Sequence, residues 1–189
     1  MIGRSSVLGH ALPPALVALA AAAGGAGAHP HTYVDQQVLI SIGVETLHAA
    51  VVIVPSIEDG ASIHDHLDTD GDGAVSPEEA ARFGAAVAAA MRLEVDGAAR
   101  AFGDPVVSVS DASLIRAGSG EIRVEATAAI DLAPRDPHHI AFAITFDAIA
   151  HDWFVQPFYH ADLSGTFSGP RLNRSAEGDA ISVRLTPAV

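Results

Sequence analysis

Twelve consecutive residues, Asp68-Thr69-Asp70-Gly71-Asp72-Gly73-Ala74-Val75-Ser76-Pro77-Glu78-Glu79, place carboxylates first, third and fifth, glycine sixth, a hydroxyl ninth and a glutamate twelfth. That order turns oxygen donors toward one point: the carboxylates of Asp68, Asp70 and Asp72, the Ala74 carbonyl, the Ser76 hydroxyl directly or through water, and both oxygens of Glu79. Such a donor set suits calcium, which takes about seven oxygens in loose geometry. Gly73 permits the sharp turn in the middle, and Leu67 and Val75 are the apolar residues expected to pack inward beside the loop. The competing reading is an acidic, solvated turn, but acidity alone rarely leaves glycine sixth and glutamate twelfth. With four carboxylates converging, the loop is expected to be held closed by its cation. Sensing loops of this kind work in pairs, and the pattern occurs once here, which favours a structural clip.

Histidine is the other residue type able to hold a metal. Of ten histidines, His29-Pro30-His31 form the most informative group. If the chain is cleaved after Ala28, the free α-amine and imidazole of His29 make a two-nitrogen chelate for copper, nickel or zinc, to which His31 adds a third nitrogen. Pro30 has no amide proton, so the amide-nitrogen site of a third-position histidine is excluded. The pairs His64 and His66, His138 and His139, and His151 and His160 are each expected as surface or turn residues. Catalytic patterns are poorly represented. The chain has no nucleophile elbow, phosphate loop or HExxH helix, and spacing gives no weight to a triad of Asp147, His151 and a serine.

Composition narrows the partners. Against 23 acidic residues stand 10 basic ones, all arginine, and the formal charge of −13 disfavours nucleic acid and anionic lipid while favouring cations. With no cysteine, there are no disulfides, thiolate metal sites or cysteine nucleophiles. Arg4, the apolar run Ala15 to Ala23 and the small residues Ala26-Gly27-Ala28 read as a secretory signal peptide over residues 1–28. The apolar run is about half of the roughly 20 residues needed to span a bilayer, and no later stretch reaches that length. The expected product is a periplasmic or secreted protein without an integral membrane segment. Weak calcium sites are filled where calcium is millimolar, as it commonly is outside the cytoplasm.

Residues 29–189 are expected to form one mainly β domain, a sandwich or open barrel of six to nine strands, with a helix-loop-helix insertion at about 56–91. Thr32 to Ser41 and Leu47 to Val54 read as a hairpin. Ser56 and Asp59 resemble a capping box opening a short helix through Ile57, Ile63 and Leu67, weakened by Gly60. Beyond the loop, Ser76, Pro77 and Glu79 combine an N-cap, a first-turn proline and a capping box, and predict an alanine-rich helix through Phe83, Val87 and Met91. The period then becomes two. Leu93 and Val95 lead to an Asp96-Gly97 turn, Pro105 to Val109 is a short apolar run, and Ile122, Val124, Ala126, Ala128 and Ile130 share one face of the next strand. Ile140 to Phe146 and Ile181 to Leu185 repeat that alternation. Most aromatic residues fall between Phe142 and Phe167, a stretch that includes Trp153 to Tyr159 and is expected to mark the densest part of the core.

From Ile57 to Met91 the chain resembles the EF-hand family. More broadly it resembles a family of bacterial exported proteins of unknown function that begin Ala-His-Pro-His before a strand, as Ala28 to His31 do. They also carry an Asp-Gly-Asp-Gly loop like Asp70 to Gly73, and then a strand ending in Asp-Gly, like Leu93 to Gly97. Similar ectodomains precede the membrane parts of nickel and cobalt permeases and of hydrogenase or urease accessory proteins. The resemblance implies a periplasmic accessory of transition-metal uptake or handling, with a membrane metal transporter as partner, and the lack of catalytic patterns adds the expectation that it is non-enzymatic. The segment from Trp153 onward departs from that pattern. The reading from another class is an exported enzyme or copper-dependent oxidant using His29.

Overall fold

A computed structural model describes residues 33–188, in which two five-stranded sheets face each other. In chain order the elements are β1 (Asp35–Ile42), β2 (Thr46–Val54), α1 (Gly60–Leu67), α2 (Pro77–Ala89), β3 (Met91–Val95), β4 (Ala98–Arg100) and β5 (Val106–Val109). There follow α3 (Ala112–Arg116), β6 (Ile122–Ala129), β7 (His138–Ile144), β8 (Phe154–Tyr159), α4 (Ala161–Thr166), β9 (Phe167–Arg174) and β10 (Ala180–Pro187). One sheet runs β5-β6-β2-β1-β8 and the other β4-β3-β7-β10-β9. Each keeps two edges, so the fold is an α+β sandwich and not a barrel.

Alternation does most of the construction. Val38, Ile40 and Ile42 of β1 and Leu47, Ala49, Val51 and Ile53 of β2 point inward, as do Ile140, Phe142 and Ile144 of β7 and Ile181, Val183 and Leu185 of β10. Each such aliphatic or aromatic side chain contributes roughly 1.5–3 kcal/mol on burial. The β1–β2 hairpin sets its register from Asp35 opposite Val54 to Ile42 opposite Leu47. A one-residue slip would turn that entire apolar set to solvent.

The sandwich has ten strands, more than the alternation predicts, because β4 is only three residues long and β9 is exposed at seven of its eight positions. Neither carries a period-two apolar signal. The edge strand β8 runs parallel to β1. Its even-numbered backbone positions face β1, since the His160 amide just beyond it donates to Ile42, while the Val155 amide donates outward to Gly178. Pro157 therefore falls at an outward position and offers no N–H to a further strand, which blunts this edge against pairing with another chain. Arg174 closes it further, donating to the Val155 carbonyl and stacking over the Phe154 ring at 4.4 Å.

The aromatic expectation is corrected in part. Trp153 is buried and donates its indole N–H to the Phe146 carbonyl at 2.7 Å, but Phe154 and Phe158 face outward from β8 and are nearly half exposed. Fully buried large side chains are mostly aliphatic.

The helical insertion is part of the core. α2 lies against β5 and β6 of one sheet and β3 of the other, driving Phe83 and Val87 into the interior. Phe83 meets Phe146 edge-on at 5.6 Å. Gly84 makes this approach possible, because a Cβ there would sit 2.3 Å from Val107. Gly60 has a comparable role and is not simply a weak point of α1. A Cβ on it would meet the Ile115 carbonyl at 2.3 Å, so glycine is what lets α1 and α3 touch. Among the described residues no helix is long and apolar enough to cross a membrane.

Candidate metal centre

Two helices and their caps frame the acidic loop. α1 ends at Leu67, with Asp68 as its C-cap, and α2 begins at Pro77 after the N-cap Ser76. The upstream cap differs from expectation. Ser56 and Asp59 do exchange hydrogen bonds, at 2.6 and 3.0 Å, but the helix starts only at Gly60, and Ile57 stays outside it and exposed. Downstream the capping box is complete: the Glu79 amide donates to the Ser76 hydroxyl, and the Ser76 amide donates back to Glu79 at 2.9 Å. Leu67 is buried and Val75 packs against the core, so both flanks of the loop are anchored.

Within that frame the first carboxylate organises the turn. Asp68 Oδ1 accepts from the amides of Gly71 and Asp72 at 2.9 and 3.1 Å, and Oδ2 accepts from Gly73 at 2.8 Å. Gly71 and Gly73 both adopt positive φ, 74° and 93°, which lets successive amides turn back on one acceptor. The last carboxylate ties the ends together. Glu79 Oε1 accepts from the Thr69 amide and hydroxyl and from the Asp70 amide, while Oε2 accepts from the amide and hydroxyl of Ser76. The Ser76 amide leads the effects on Glu79. Burial opposes it, but the hydroxyls of Thr69 and Ser76 and the Asp70 amide reinforce it, lowering the pKa to about 2. Glu79 is thus an anion throughout the ordinary pH range.

Oxygens of Asp68, Asp70 and Glu79 lie within 4.8 Å of one another, with Asp68 and Glu79 buried and Asp70 exposed. All three donors are hard oxygens, a set that fits calcium or magnesium and not a soft metal. Asp72 is not in this group; its carboxylate accepts from the Ala74 amide at 2.9 Å and lies exposed. The expected convergence of four carboxylates is therefore a convergence of three. Asp70 makes a similar local turn, its Oδ1 accepting from the Asp72 amide at 3.1 Å. Ser76 contributes through Glu79, donating its hydroxyl proton to Oε2 at 2.9 Å. Five donors converge on Glu79 and tie the two ends of the loop together.

The histidines divide. His29 and His31, like the leader, lie outside the described residues. His64 and His138 are corrections to the surface reading, being fully and nearly fully buried. His64 sits on α1 one turn before Asp68, with Nδ1 3.9 Å from Asp68 Oδ2. His138 Nδ1 lies 2.7 Å from Asp96 Oδ2 and Nε2 lies 3.0 Å from the Ala133 carbonyl, so the doubly protonated ring satisfies both acceptors. Burial resists that charge, but the Asp96 carboxylate and the Ala133 carbonyl outweigh it and raise the pKa above 6.5. For Asp96, burial is likewise outweighed by hydrogen bonds from His138 and the His139 amide, and its pKa falls below 3.8. The sequence shows the Asp96-Gly97 turn and His138 separately, but not their pairing, because the two are 42 residues apart. Compared with known proteins, the chain matches no family model and no curated sequence.

Proposed function

We propose that the chain binds one calcium ion in the Asp68–Glu79 loop, as a brace for an exported, non-enzymatic accessory protein of metal-ion handling. The observation that supports the calcium reading is the convergence of Asp68, Asp70 and Glu79 oxygens within 4.8 Å, between two anchored helix ends. Asp68, Asp70 and Glu79 would hold the ion. Asp72, the Ala74 carbonyl and the Ser76 hydroxyl complete the donor set expected from spacing. The ion would supply positive charge to three carboxylates that otherwise rely on amides and hydroxyls. Glu79 Oε1 already receives three donors, so a cation there takes the place of some of them. Because α2 carries Phe83 and Val87 into the core, a filled loop stabilises the whole sandwich by mass action, by about 2.7 kcal/mol when calcium is a hundredfold above Kd.

Export rests on the expected leader, and metal handling on His29, His31 and the resemblance in motif order. The test is calorimetric titration of the purified protein together with melting curves in calcium and in chelator. One calcium per chain and a higher Tm in calcium are expected. Glu79→Gln, which removes charge from the twelfth place, should raise the calcium Kd by on the order of a hundredfold, within the range over which ligand charge tunes such sites. A Tm indifferent to calcium in the unaltered protein would sink the brace. Elemental analysis addresses the second part: nickel, zinc or copper bound at stoichiometric level and lost in His29→Ala supports metal handling, and calcium alone removes it.

A further inference from the structure

Beside the loop lies a buried group that the calcium reading does not use. His64 is fully buried, and its Nδ1 is 2.8 Å from the Nη2 of Arg116 on α3, 52 residues away. The same Nη2 lies 3.0 Å from Asp65 Oδ1. A guanidinium can only donate, so Nδ1 must present its lone pair and the ring proton sits on Nε2. Nε2 is buried and has no hydrogen-bond partner among the described residues. The ring is therefore held in the tautomer that leaves a buried N–H unsatisfied, an arrangement that needs a compensating cause.

We propose that Arg116 is a positioning residue for the cation loop, its hydrogen bond to His64 Nδ1 keeping that ring from donating to Asp68. Asp68 Oδ2 is only 3.9 Å from the same nitrogen and already accepts the Gly73 amide. Without Arg116, a proton on Nδ1 gains an ionised acceptor in Asp68, and the unsatisfied N–H at Nε2 disappears. Asp68 would then be drawn back toward α1 and part of its charge committed to the imidazole. Arg116 thus leaves Asp68 free for the loop amides and for the proposed calcium, on which this inference rests. Its reach depends on Gly60, whose missing side chain lets α1 and α3 touch.

Nitrogen-15 NMR of the His64 ring in the calcium-free protein tests the tautomer by itself. The unaltered protein should show a proton on Nε2 and none on Nδ1, and Arg116→Met should move it to Nδ1. A proton on Nδ1 in the unaltered protein, or no change in the variant, overturns the proposal whether or not calcium binds. Calcium titration tests the consequence. Arg116→Met should weaken binding by roughly 10–100-fold, the usual effect of losing a residue that orients a metal ligand. Arg116→Lys, which keeps a donor, should recover most of it, and Asp65→Asn, which removes only the exposed ion pair, should stay within about twofold. Unchanged affinity in Arg116→Met, or an equal loss in Asp65→Asn, overturns the positioning role. Should Arg116→Met fail to fold, the ring spectrum of the unaltered protein and the affinity of Arg116→Lys still decide it. Absence of calcium binding in the unaltered protein would instead refute the reading of the loop.

Discussion

The loop at Asp68 to Glu79 and the corner at Asp96 and His138 use one device in two ways. In each, a carboxylate gathers backbone amides at a turn of positive φ: Asp68 holds Gly71, Asp72 and Gly73, and Asp96, itself at φ 53°, holds His139. They differ in the source of countercharge. The corner carries its own cation, the His138 ring, delivered by the neighbouring strand β7. The loop has no such partner among the described residues, so three carboxylates converge with only amides and hydroxyls to meet them. A region with a built-in cation answers to pH, whereas the loop, under the calcium proposal, would answer to metal concentration.

The strongest way to break that comparison is to ask whether the loop's helix belongs to the core at all. Phe83→Ala should cost about 3–5 kcal/mol in urea denaturation, with calcium or chelator present alike, because the aromatic ring lost is buried against Phe146. A loss under about 1 kcal/mol would mean that α2 is an appendage, and that bracing the loop could not brace the sandwich.

Next in size is the pH response of the corner. His138 has a folded-state pKa above its ordinary 6.5, so its contribution is fully present below 6.5 and is lost as pH rises through the folded value. Asp96 has a folded pKa below 3.8, so its contribution is present above 3.8 and is lost as pH falls through the folded value. The pair is therefore strongest between 3.8 and 6.5. Raising the pH from about 6 to 9 should lower Tm by a few degrees in the unaltered protein and by less in His138→Gln. Equal slopes in the two proteins would show that the corner carries no usable charge.

The smallest expected effect sharpens the comparison by control. Arg123 pairs with Glu121 at 2.8 Å on the wet face of β6, both partly exposed and neither gathering amides at a turn. Arg123→Ala should change stability by no more than about 0.5 kcal/mol. A larger loss would mean that charge pairing alone, without the turn, accounts for the other two sites.

Legibility followed distance along the chain. The β1–β2 hairpin, the β3–β4 turn and the capping box of Ser76 and Glu79 depend on neighbours within about twenty residues, and their side-chain types betray them. β9 was invisible because an exposed edge strand needs no apolar alternation. α3 and α4, of five and six residues, are too short to show a helical period.

Sequence alone determined a mainly β domain with a helical insertion, through period-two apolar faces that must be buried together, and the run of oxygen donors in the loop, through the spacing of twelve residues. The two open sheets of the sandwich came from the structure. Tertiary structure decided what lies beside them. It placed Arg116 against His64 and His138 against Asp96, across separations of 52 and 42 residues. It also turned Gly60 from a defect in a helix into a point of contact. Such pairings arise from how two sheets and their helices close on a shared core, and no local pattern encodes which distant side chain will arrive.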